Sequence, residues 1–123
     1  MIVVDENISF ERVLTGISKW YPGAVISARA LRPHGRLLDP EIPGELLKLK
    51  QPTFVTINYS DWNKSQLAHR GYCIVSLKLT NEEAVFVPHV LREILRRPEY
   101  KTKRQRMGKV ICWTKQHSFH HEV

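Results

Sequence analysis

The alternation of apolar runs along this chain predicts an α/β protein. The expected form is a three-layer α/β/α, Rossmann-like architecture around a central, mostly parallel sheet of about five strands. Three observations carry that expectation. Short runs without polar alternation, such as IVV, TFVTI, YCIVSL and KVICWTK, read as strands buried on both faces. The segments between them place apolar residues at helical spacing. Breakers such as Pro22-Gly23, Pro33-His34-Gly35 and Gln51-Pro52 separate the two kinds.

Residues 1–4 form the first expected strand. Phe10, Val13, Leu14 and Ile17 recur at i, i+3, i+4 and i+7, giving an amphipathic helix with Asn7 as its N-cap and Pro22-Gly23 as its end. Residues 24–31 read as a second strand. Asp39-Pro40 resembles an N-cap followed by Pro at N1, opening a short helix through Leu46, Leu47 and Leu49. Residues 53–57 form a third strand, 58–62 a turn, and 63–69 a short helix. Residues 72–77 form a fourth strand. The T-x-x-E pattern of Thr80 and Glu83 is a capping box before a helix bearing Val87, Val90, Leu91, Ile94 and Leu95, which Pro88 either kinks or starts. Residues 109–115 form a fifth strand, and 116–123 a short surface tail.

A length of 123 residues suits a single domain, 1–123. No apolar run approaches the roughly 18–20 residues needed to cross a bilayer, and the first ten residues lack the basic start and longer apolar stretch of a signal peptide. Cys73 and Cys112 show no CxxC spacing and lie in apolar runs, so they are expected to be reduced core residues. A cytoplasmic protein fits these features. The net charge of +7 is uneven: ten Lys/Arg face nine Asp/Glu up to residue 91, and nine face three from residue 92 onward. The segment 92–109 is therefore a basic patch suited to phosphates or an acidic partner.

In a parallel sheet, sites form beyond the carboxyl ends of the strands. Asp5 and Glu6 follow the first strand, Asp39 and Glu41 open the helix after the second, and Asn58 and Asp61 follow the third. Carboxylates crowded together repel and resist desolvation, so such a cluster calls for a cation. Oxygen ligands favour Mg²⁺ or Mn²⁺. Asp39 and Asp61 also suit helix caps, and Glu6 and Glu41 suit solvated first turns. Asp5 lacks such an alternative, because Asn7 is better placed as the cap. Tyr59 and Trp62, with Arg32 and Arg36, could stack on bases and hold phosphates, although Trp62 is expected to pack beneath its loop. His117, His120 and His121 near Cys112 match no zinc spacing, and His34 and His69 read as surface residues.

At these positions the sequence resembles a known family. IVVDENI, LDPEI and FVTINYSDW are similar to the three signatures of small PIN-like proteins, and YCIVSL to their fourth strand, over residues 1–97. The resemblance implies a metal-dependent ribonuclease, with many small members acting as toxins of toxin–antitoxin pairs. It implies Asp5 as the central metal ligand, Asp39 or Glu41 as the second acid and Asp61 as the last. Asn58 stands where the family usually has Asp, with one extra residue before Asp61. An amide keeps an oxygen ligand but removes a charge.

The expected function is thus endoribonuclease activity with Mg²⁺ or Mn²⁺. Asp5, Asp39, Glu41 and Asp61 are its catalytic acids, and Asp5, Asp39, Asn58 and Asp61 its metal ligands. Arg32, Arg36, Tyr59, Arg96, Arg97, Lys101, Lys103 and Arg104 are the candidate contacts to RNA. The alternative is a PIN-like module weakened in catalysis that binds RNA or a partner protein. Expected partners are RNA, a cognate antitoxin and a second copy of the chain joined through the C-terminal strand, with no membrane.

Overall fold

A computed structural model describes residues 1–35 and 37–123. Six strands form one sheet: β1 (Ile2–Val4), β2 (Val25–Ser27), β3 (Thr53–Thr56), β4 (Cys73–Leu77), β5 (Lys109–Trp113) and β6 (Ser118–Glu122). Their order is β2-β1-β3-β4-β5-β6, parallel throughout except for β6, which runs antiparallel to β5. The helices are α1 (Glu11–Ser18), α2 (Ile42–Leu46), α3 (Tyr59–Trp62), α4 (Val87–Leu95) and α5 (Lys103–Arg106). The α/β class and the mostly parallel sheet match the sequence pattern.

The strand period of two divides the core cleanly. Ile2, Val4, Val55, Cys73, Val75, Leu77 and Ile111 face the side where Val13 and Ile17 of α1 meet Val87, Leu91 and Ile94 of α4. Val3, Phe54, Ile74, Val110 and Cys112 face the other side, against Ile42 and Leu46 of α2 and Trp62 of α3. Central strands with both faces covered have no room for polar alternation, which is why they read as continuous apolar runs. Cys73 and Cys112 are free thiols in this core, and burial pushes them up to about 12 and about 11. They stay protonated and unreactive near neutrality.

The chain crosses from β1 to β2 in one direction, then back past β1 to β3 and on to β4. With α1 on one face and α2 and α3 on the opposite face, these three crossovers share one hand. The fourth continues from β4 to β5 but carries α4 on the α1 face, so its hand is reversed. Helices α1 and α4 consequently lie side by side. A Cβ at Gly16 would sit 2.7 Å from Cγ of Pro88, an approach that only glycine permits. After α4 the chain curls beneath the amino ends of the strands, where Arg106 Nε donates to Oγ1 of Thr53 at 3.1 Å.

Several boundaries differ from the sequence pattern. The second strand is only Val25–Ser27, because Ala28–Leu31 turns as a 3-10 helix, with Ser27 Oγ accepting the Arg29 N–H at 3.2 Å. Asn7 does not cap α1. Ser9 Oγ donates to the carbonyls of Val4 and Asp5, holding Glu6–Ile8 as a 3-10 turn ahead of the helix. The helix expected at 63–69 lies earlier, at Tyr59–Trp62, followed by a 3-10 turn. The capping box forms in both directions between Thr80 and Glu83, and Pro88 occupies the start of α4 without kinking it.

The tail is the main departure. Residues 118–122 pair with β5 through a tight turn closed by Thr114 N–H donating to the His117 carbonyl at 2.9 Å. Only Phe119 and Val123 are apolar there, so pattern gave no strand signal. The sheet therefore has six strands, and β6 occupies the edge that β5 was expected to offer to a second copy. Among the described residues, no helix is long and apolar enough to cross a membrane.

Candidate active site

Between β1 and β3 the following segments leave toward opposite faces, α1 on one and α3 on the other. That divergence opens a crevice at the carboxyl edge, the place where α/β sheets bind ligands. Asp5 sits in it. Its N–H continues the ladder to the Val55 carbonyl at 2.9 Å, and its Oδ2 accepts the Thr56 hydroxyl at 2.6 Å. The Thr56 oxygen also accepts the Asn58 N–H at 3.0 Å, so the ends of both strands are tied together. Asp5 is 5% exposed, and among the described residues no cationic side chain pairs with it.

Burial raises the Asp5 pKa, while the Thr56 hydroxyl and the Asn7 amide pull it down; the Asp39 carboxylate raises it further. Asp5 and Asp39 together line a cavity of about 560 Å³ with Glu6, Asn7 and Leu38. Asp5 also lines a second cavity of about 490 Å³, shared with Asn7, Asn58 and Glu82. Asp5 is thus the wall between two clefts, one holding Asp39 and the other Asn58.

The remaining acids are otherwise engaged. Glu41 accepts the Leu38 N–H at 3.1 Å and pairs with the Arg32 guanidinium, which lies between Glu41 and Glu45. The Arg32 contact, then the Leu38 amide, hold the Glu41 carboxyl below its usual range. Glu41 therefore serves as the first-turn cap, and Leu38 rather than Asp39 holds the N-cap position. Asp61 accepts the Asn58 side-chain amide at 2.9 Å and joins Asp39 around a third cavity of about 440 Å³. Among the described residues, no group of three or more His, Cys, Asp or Glu side chains could hold a metal ion. The donor set that remains is the Asp5–Asp39 pair. Two carboxylates fit Mg²⁺, which commonly takes one or two protein carboxylates and completes its shell with water and substrate phosphate.

The candidate RNA contacts divide between the two edges of the sheet. Tyr59 stands at the acidic edge, half-buried, with Lys78 Nζ 5.8 Å from its ring centre. Arg32 is there too, committed to its two glutamates, and Arg36 lies outside the described residues. Arg96, Lys101 and Lys103 line a cavity at the opposite, amino edge, and Arg104 is exposed in the same segment. Arg97 donates to the Ser118 hydroxyl. The basic segment therefore does not flank the acidic crevice. Trp62 is buried against Phe54, with ring centres 4.8 Å apart. His120 meets the Tyr100 hydroxyl and His121 the Asn63 carbonyl, so the tail histidines fasten β6.

Two residues escaped the sequence reading. Thr56 is a buried polar group at the end of an apolar strand, and its position two residues before Asn58 was an available signal. Arg106 is 2% exposed, and nothing in a run of Lys and Arg marks which one turns inward. Comparison with protein-family models, curated proteins and solved structures finds no match.

Proposed function

We propose that this chain is a PIN-like, Mg²⁺- or Mn²⁺-dependent endoribonuclease whose metal position is the Asp5–Asp39 pair. One observation carries the reading: Asp5 is a buried carboxylate beside a second carboxylate, without a cationic partner among the described residues, at the point where the sheet's connections diverge. Such a pair is destabilising when both members are ionised, and a divalent cation relieves it. A metal bound there supplies an activated water and stabilises charge on a phosphodiester. The protein's own part is to fix the ligands. Thr56 holds Oδ2 of Asp5, Ser9 clamps the Asp5 carbonyl, and the Glu41–Arg32 contact sets the turn that presents Asp39. Tyr59, two residues before Asp61, would stack on an unpaired base.

The test is cleavage of single-stranded RNA with and without Mn²⁺. Cleavage that requires the metal and disappears in Asp5→Asn, with folding retained, supports the reading. Undiminished metal-dependent cleavage by Asp5→Asn defeats it. The resemblance to small PIN-like toxins extends the proposal to an inhibitory antitoxin, which purification of the expressed operon would reveal as a bound second chain.

A second reading has its own support. Asn58 donates to Asp61, and Glu41 is paired with Arg32, which among the described residues leaves two carboxylates without a charged or side-chain amide partner where the family pattern has more. The chain would then be a PIN-like module, weakened in catalysis, that binds RNA or a protein. Asn58→Asp discriminates: a gain of Mn²⁺-dependent cleavage in that variant over an inactive parent favours the weakened module.

A further inference from the structure

A cavity of about 630 Å³ lies at the amino edge of the sheet, away from the acidic crevice. Its size falls within the range of small-ligand sites. The ends of α1 and α4 form its walls, with Trp20 and Tyr21 from one and Arg92 and Arg96 from the other. Lys101, Lys103 and Arg106 complete the ring of cations, and among the described residues no acidic side chain lines it.

Arg92 and Arg96 have an ordinary explanation, since cations favour the carboxyl end of a helix. Lys101 and Lys103 are exposed and would be solvated in any case. Arg106 is different. It is 2% exposed, and its partners are all neutral: Thr53 Oγ1 at 3.1 Å, the Tyr100 carbonyl at 2.9 Å and the Lys101 carbonyl at 3.3 Å. Among the described residues no carboxylate compensates it. A guanidinium does not escape by losing its proton near neutrality, so its buried charge calls for an anion. A ligand with anionic oxygens would answer the Arg106 charge, and the rings of Trp20 and Tyr21 that line the cleft suit a flat ring beside the anion.

We propose that this cleft binds a nucleotide, its phosphate drawn by Arg106, Arg96 and Lys103 and its base set against Trp20 and Tyr21. The nucleotide is either free or one unit of a single-stranded RNA, the recognised chemistry being the same. The site is independent of the acidic crevice.

Calorimetric titration of the full chain tests this with five probes: AMP, adenosine, inorganic phosphate, a short single-stranded oligoribonucleotide and a glutamate-rich peptide. AMP is expected to bind, adenosine and inorganic phosphate to bind at least about tenfold more weakly, and added salt to weaken AMP. The double variant Arg96→Ala/Lys103→Ala is expected to lose about tenfold or more in AMP affinity, while Asp5→Asn leaves it unchanged. Oligoribonucleotide binding tighter than AMP, with a steeper salt dependence, identifies RNA as the source; the reverse identifies the free nucleotide. Equal binding of adenosine and AMP, equal binding of inorganic phosphate and AMP, a peptide that binds more tightly than AMP, or no AMP binding at low salt would each overturn the proposal. Loss of RNA cleavage in Asp5→Asn does not bear on it, so the two sites fail or stand separately.

Discussion

Asp5 carries a cost that the rest of its surroundings offsets only in part. Burial raises its pKa in the folded chain above the unfolded value, against the pull of the Thr56 hydroxyl. A raised pKa means that its contribution to stability is complete below the unfolded pKa and is lost as pH rises through the folded one. Burial thus penalises the charged form of Asp5 in the apo protein. Asp5→Asn keeps an oxygen for the Thr56 hydroxyl and removes the charge, so it should stabilise the apo protein at pH 7 by on the order of 1 kcal/mol. For a domain of this size that is roughly 3–6 °C in Tm, and the gain should shrink toward pH 4 in a thermal melt. A variant less stable than wild type at pH 7 would contradict this assignment. Glu41 makes a contrasting case. Since it caps a turn and pairs with Arg32, Glu41→Gln should leave any Mn²⁺-dependent rise in Tm intact, whereas Asp39→Asn should diminish it. The sequence pointed to Asp5 because a carboxylate directly after a buried strand has few structural duties. It did not separate Asp39 from Glu41, because both stand in one first turn and only the tertiary position of Arg32 decides between them.

At the scale of elements, strands were more legible than helices. TFVTI and YCIVSL had to be buried on both faces, and no other structure accommodates such short runs as economically. Capping was read correctly where the chemistry was local, as at Thr80 and Glu83, and wrongly where a distant group competed, as at Asn7, displaced by Ser9 bonding back to the end of β1. Strand β6 was invisible because its pairing comes from the turn at Thr114–His117 and from His120 and His121, not from apolar content. The contact of α1 with α4 was equally hidden, since it depends on the reversed fourth crossover. It makes a sharp prediction. Alanine is the better helix former, yet Gly16→Ala must push against the Pro88 ring, 2.7 Å from the new Cβ. The variant should lose about 1–3 kcal/mol of stability by urea unfolding. An unchanged or raised midpoint would show that α1 and α4 do not meet so closely.

The whole molecule separates its charges along the strand direction. Carboxylates gather at the carboxyl edge around Asp5 and Asp39, and cations at the amino edge around Arg106. The sequence showed both groups but placed them together, because it could not show that the chain after α4 returns to the far end of the sheet. An RNA cleaved at one edge and held at the other would have to run over the surface between them. If the proposed activity holds and RNA is the ligand of the amino-edge cleft, cleavage should gain from substrate length until both edges are reached, and Arg96→Ala/Lys103→Ala should weaken long substrates while sparing short ones. The metal position itself is the claim on which the functional reading stands. Calorimetric titration of Mn²⁺ into the wild-type chain and into Asp5→Asn tests it most directly. Binding at a single site in the wild type, with loss of the site in Asp5→Asn, is the expected result. Equal Mn²⁺ binding by the two proteins would contradict it.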